Sequence, residues 1–255
     1  MTERRDIITP VRRPRLRMSV AAYIAFAALL GLSACDDGAP VTIAGATRGR
    51  QVFADPGFSA SRFNVFSCAT CHATTSDAPP GVAVSLADVT RREAWWGGKV
   101  RTLLDASDFC WVYFMRGFPS IDGESDDARA LFDYLASLST GAGTDPLPTL
   151  PLTAVETIVE PAPGDATHGS TVYDRACRVC HGDPHTGAGR IGPAVVVIPE
   201  ASQDLAEELG VDIRLVLTEK VRHGQFFGVG GNMPFYPLEQ LSESELADLL
   251  EYLSP

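Results

Sequence analysis

Two pentads in this chain set a pair of thiols beside an imidazole: Cys68-Ala-Thr-Cys71-His72 and Cys177-Arg-Val-Cys180-His181. The spacing places both sulfurs where they can form thioethers with the vinyl groups of a haem, while the following imidazole reaches the iron. One such pentad alone reads equally well as a zinc half-site or a redox disulfide. Here there are two, each followed by a methionine, and no Cys-x-x-Cys lacking a histidine remains to complete a zinc ribbon. The expectation is two covalently bound haem c groups, with iron held by His72 and His181.

The elements that must position these residues repeat. In the second half Gly169 and Tyr173 precede Cys177 on a predicted helix, and the chain closes on Ser242-Glu-Ser-Glu245, a capping-box pattern. Leu246, Leu249, Leu250 and Leu253 then recur at helical spacing. In the first half Gly49 and Phe53 precede Cys68 across a longer intervening stretch, and Ala128, Leu131, Phe132, Leu135 and Leu138 form the closing stripe. Laying Tyr134 on Tyr252 puts Met115 on Met233 without a gap. Between the halves, Pro146, Pro148, Pro151, Pro161 and Pro163 mark an extended linker. The predicted fold is all-α: two tandem cytochrome c domains at 46–140 and 166–255, joined by a Pro-rich linker at 141–165 that packs along them. Each is small for a hydrophobic core alone, and a buried haem supplies the missing apolar volume.

Residues 166–255 resemble the class I cytochromes c. The resemblance implies His181 as proximal ligand and Met233, in Gly231-Asn232-Met233-Pro234, as the distal one. It also implies that Gly192-Pro193 passes beside His181, the Pro193 carbonyl accepting the other ring N–H and fixing its tautomer. Beside this stands the plain reading of Met233 as core filler.

The first half offers two soft sulfurs on one stretch, Cys110-Trp-Val-Tyr-Phe-Met115-Arg-Gly117. The repeat register favours Met115. A cysteine 38 residues after His72 and five before a Met-x-Gly resembles instead the thiosulfate dehydrogenases and related sulfur-oxidation cytochromes, in which such a cysteine ligates the catalytic haem. Positions five apart on a straight helix differ by about 140° in direction, so Cys110 and Met115 are not expected to face one iron together. Cys110 also reads as a small buried hydrophobe. Trp95 and Trp96 are expected to pack on the haem edge, Arg91, Arg92, Lys99 or Arg101 to pair with propionates, and His168, His185 and His223 to be structural.

Residues 1–34 read as a lipoprotein signal peptide: Arg12, Arg13, Arg15 and Arg17, then an apolar run from Val20 to Leu32 too short to span a bilayer comfortably. Leu32-Ser33-Ala34-Cys35 resembles the bacterial lipobox, with Cys35 as the lipidated first residue of a tether at 35–45. Export to the periplasmic side of a bacterial membrane follows from that reading. Of 21 basic and 32 acidic residues, the signal carries six arginines and two acids, leaving 15 against 30. So acidic a surface argues against nucleic acid and favours redox proteins with a basic docking face. The expected function is single-electron transfer between a membrane-associated donor and an acceptor. The alternatives are a thiosulfate-dehydrogenase-like oxidoreductase using Cys110, a dihaem peroxidase with one open iron, and a docking subunit of a larger complex.

Overall fold

The computed structural model describes residues 43–79, 81–141, 145–159, 162–227 and 233–254. The proposed signal, Cys35 and residues 35–42 of the tether lie outside the described residues, as do Gly231 and Asn232. Residues Val41–Pro255 make one compact unit. Among the described residues there is no strand, only two isolated bridges, and the all-α expectation holds.

The first half runs through α1 (Ile43–Ala54), a 3-10 turn at Pro56–Ser59, α2 (Cys68–Cys71), a second 3-10 turn at Val89–Arg91, α3 (Leu103–Tyr113) and α4 (Asp126–Ser137). The second half has α5 (Ala166–Ala176), α6 (Arg178–His181), α7 (Glu200–Leu209), α8 (Ile213–Phe227) and α9 (Glu243–Leu253). Both closing helices start on a serine N-cap. Ser125 accepts from the Ala128 N–H, and Ser242 forms the full capping box with Glu245, its own N–H donating to Glu245 Oε2 at 2.9 Å.

Each half is organised by one helix crossing. A Cβ at Gly49 of α1 would overlap the Ala130 carbonyl and Tyr134 Cβ of α4; a Cβ at Gly169 of α5 would overlap the Asp248 carbonyl and Tyr252 Cβ of α9. Glycine is therefore needed at both contacts because the partner backbone occupies the side chain's place. One turn on, Phe53 meets Tyr134 (ring centroids 5.3 Å, 58°) and Tyr173 meets Tyr252 (5.7 Å, 57°). Beneath these crossings lie two cores: Val52, Phe53, Val89, Leu131 and Leu135 in the first half, and a larger one with Leu246, Leu249, Leu250 and Leu253 in the second. Burying each such leucine is worth roughly 1.5–3 kcal/mol.

The segment between the halves lies along both. Leu147 N–H donates to Arg91 O at 2.8 Å, and Leu152 sits against Gly97. Thr153 then holds Glu239 through its N–H (2.9 Å) and hydroxyl (2.5 Å), and His223 Nε2 donates to Val155 O at 2.7 Å. The halves also touch directly, Gln240 Nε2 donating to Gly81 O at 2.8 Å.

Candidate haem sites

In the first half α2 begins at Cys68, and its short turn carries Cys71 and His72 to the wall of a cavity of about 250 Å³. His72 Nδ1 lies 2.8 Å from Val84 O. A carbonyl only accepts, so the ring proton sits on Nδ1 and the Nε2 lone pair is left for a metal. Burial pushes the His72 pKa down, the direction that favours the neutral ring ligation requires, and the Val84 bond opposes it.

The cavity wall is almost wholly apolar. Phe53, Phe58, Phe66, Leu86, Val89, Trp95, Trp96, Leu131 and Leu135 contribute, with both Cys110 and Met115. The straight-helix expectation for those two sulfurs does not apply, because α3 stops at Tyr113: Phe114 caps it, and the Met115 N–H folds back onto Cys110 O at 3.1 Å. Met115 is off the helix and buried. Both candidates therefore reach one cavity.

Burial pushes the thiols up, Cys68 and Cys180 to about 11, Cys110 and Cys177 to about 12, and Cys71 higher still with the nearby Cys180 adding to it. These are not the depressed values of a nucleophilic or disulfide-exchanging cysteine. The Trp95 indole N–H is buried without a partner at the cavity wall, and Arg92 lines the same cavity, its pKa lowered by burial against the pull of Asp88. Two donor side chains at the wall of an apolar slot suit a flat apolar group with carboxylate arms. Lys99 and Arg101 do not line the cavity.

The second half repeats the arrangement. His181 Nδ1 lies 3.0 Å from a carbonyl, but that carbonyl belongs to Val196 and not to Pro193. Val195 N–H closes a turn onto Gly192 O (3.1 Å), so Pro193 takes the second turn position, which its fixed φ suits, and the chain meets the ring only after the turn. Met233 packs against the core that contains Cys177. Gly224 breaks α8 (φ 51) and lies against the Met233–Phe235 backbone, with a Cβ there only 2.6 Å from Met233 O. Next to it Arg222, fully buried, donates to Tyr236 O (3.0 Å) and Leu241 O (2.6 Å), pinning the chain just after Met233.

His168 and His185 pair with Asp248 (2.7 Å) and Glu200 (2.8 Å), and His223 lies 2.8 Å from Glu219. Sequence reasoning missed the Val84 and Val196 carbonyls, which carry no side-chain signature, and also Trp111 and Arg222. It also missed a repeat signal that was available: Met115-Arg-Gly-Phe118-Pro119 matches Met233-Pro-Phe-Tyr236-Pro237 at the same register. Tyr236 is buried, its hydroxyl donating to Ala176 O at 2.6 Å, whereas Phe118 is 91% exposed. Beside Phe118, Trp111 packs edge-on against Phe58 (4.8 Å), lies over Gly117 and donates to Pro119 O at 2.9 Å.

The two sites adjoin. Cys180, Pro234, Phe235, Pro237, Glu239 and Gln240 of the second half, with Leu150, Pro151 and Leu152 of the linker, complete the wall of the first cavity.

Comparison with known proteins is consistent with this geometry. Residues 164–253 match the family described as cytochrome c oxidase, cbb3-type, subunit III. That match supports a haem c electron-transfer protein, with iron-bearing haem c covalently bound. No curated protein matches the chain. Among solved structures, thiosulfate dehydrogenase (TsdBA) from Marichromatium purpuratum in its as-isolated form is 21% identical, with a TM-score of 0.36, over 55% of this chain. The match spans about a third (32%) of that protein's length, and at this TM-score it carries no argument about activity.

Proposed function

We propose that this chain is an exported, lipid-anchored dihaem c-type cytochrome that passes single electrons between a membrane-associated donor and an acceptor. The observation that carries the reading is the duplicated site: in each half a Cys-x-x-Cys-His pentad presents an imidazole whose Nδ1 is committed to a backbone carbonyl, Val84 or Val196. Cys68, Cys71 and His72 would hold one haem, and Cys177, Cys180 and His181 the other. A bound haem supplies a reversible one-electron iron couple. The protein's share is to fix the ring tautomers, exclude water with the aromatic wall, offer Met233 as distal ligand in the second half and Met115 in the first, and satisfy propionates through Trp95 and Arg92. The Cys71–Cys180 adjacency favours electron exchange between the sites. The lipid anchor at Cys35 and docking to basic partners belong to the same proposal.

Mass measurement on the denatured mature protein tests it. Two haem increments are expected, falling to one in Cys177→Ala/Cys180→Ala and to one in Cys68→Ala/Cys71→Ala. A mature chain with zinc and no haem overturns it. A second reading, an oxidoreductase acting on thiosulfate-like substrates, is favoured by one observation: Cys110 reaches the first cavity beside Met115. Thiosulfate turnover that disappears in Cys110→Ala would establish it.

A further inference from the structure

The two most exposed large hydrophobic side chains described are Phe118, at 91%, and Phe63, at 74%. They belong to one shallow groove, formed by Ser59–Phe63 and Arg116–Phe118. Arg62 lies over the Phe63 ring at 5.0 Å, and Arg116 adds a second cation. No carboxylate lines the groove, on a chain with 32 acidic residues against 21 basic.

Both loops are held rigid. Asn64 Nδ2 donates to Pro56 O (2.8 Å) and Phe66 O (2.7 Å), while its Oδ1 accepts from the Phe66 N–H (2.9 Å). On the other side the Gly117 N–H donates to Trp111 O (2.9 Å). Exposed aromatics on pinned loops lose little freedom when a partner covers them. The repeat sharpens the point, since the position that Tyr236 fills inside the second core is turned outward at Phe118 in the first half. Phe58 and Met115, next in the chain to the groove residues Ser59 and Arg116, line the first cavity.

We propose that this groove is a docking surface for an electron-transfer protein whose contact face has an apolar centre edged with carboxylates. The inference rests on the electron-carrier reading and goes beyond it: this face takes a partner of the opposite charge to the basic ones that suit the rest of the acidic surface. Aromatic and arginine side chains are the usual energetic centre of such contacts, and complementary charge sets the encounter rate. Docking here brings the partner within one layer of residues of the first site.

The test uses the mature holoprotein, its haem content assayed first, and two probes: a blue-copper protein with an acidic patch and a basic single-haem cytochrome c. Binding is read by titration calorimetry at low salt. Arg62→Glu and the double variant Phe63→Ser/Phe118→Ser should each weaken the acidic probe tenfold or more, leave the basic probe within twofold, and keep the wild-type melting temperature. Acidic-probe affinity unchanged within twofold in both variants overturns the proposal. So does holoprotein self-association that Arg62→Glu abolishes, because the occupant is then a second copy. A chain without haem ends the carrier reading through the haem assay, and the binding measurement still decides the groove.

Discussion

The two halves use the same helix crossing and the same imidazole-to-carbonyl bond, yet they finish the segment after the methionine differently. In the second half Arg222 and Tyr236 draw that segment into the core. In the first half the Trp111 indole covers Gly117 and donates to Pro119 O, and Phe118 is left in solvent. The first cavity takes part of its wall from the second half, Cys180 included, and the first half keeps an aromatic outside. The shared contacts are thus those that set the helix geometry, and the halves differ at the segment after the methionine.

The crossing is where the halves should be equal, and breaking it has the largest expected effect. Gly49→Val and Gly169→Val each force a side chain into partner backbone, and overpacking of this kind costs about 1–3 kcal/mol or more. Urea unfolding midpoints should fall for both; a tolerated Gly49→Val would show that the first crossing is looser than its twin. The distal sulfurs come next. With methionine on both irons, the near-infrared methionine-to-iron band should integrate to two haems, and Met115→Leu or Met233→Leu should each halve it while Cys110→Ala leaves it intact. If Cys110→Ala alone changes the spectrum, the halves differ in ligand and the first has the lower potential, because a thiolate donates more strongly than a thioether.

A smaller effect separates Tyr236 from Phe118. Tyr236→Phe leaves the Ala176 carbonyl without its buried donor and should cost about 1 kcal/mol, whereas Phe118→Ser should stay within about 0.5 kcal/mol in the same unfolding assay. The smallest effect is acid sensitivity. Asp248 is held below its ordinary 3.8 by the His168 hydrogen bond and then the Asp165 N–H, with burial opposing. A depressed carboxyl contributes stability that is fully present above the unfolded value and is lost as pH falls through the lower folded one. The first half has uncharged Ala130 at this register. Asp248→Asn should therefore flatten the decline of stability below about pH 4, as read by circular dichroism of melts across pH, and Ala130→Ser should not.

The helices themselves were legible because glycine, aromatic and leucine spacings are local signals, and the Ser242–Glu245 box caps α9 as its pattern says; that Gly49 and Gly169 mark crossings with α4 and α9 was not. The acceptors for His72 and His181 were not, since any residue can offer a carbonyl and only the turn at Gly192–Val195 decides which one arrives. Nor was the sharing of Cys110 and Met115. Periodicity assumes that a helix continues, and α3 ends at Tyr113, between the two sulfurs. The borrowed wall of the first cavity depends on contacts such as Gln240 to Gly81, between residues too distant in sequence for any local pattern to pair.

That borrowed wall has a consequence for the order in which the molecule is made. A chain emerging N-terminus first presents Cys68, Cys71 and His72 long before Pro234, Phe235 and Gln240 exist to cover them. Until that last stretch of chain arrives, the first site lacks the part of its wall that Pro234, Phe235 and Gln240 supply. Truncation after residue 233 should accordingly leave the earlier site wet as well as the later one unfinished.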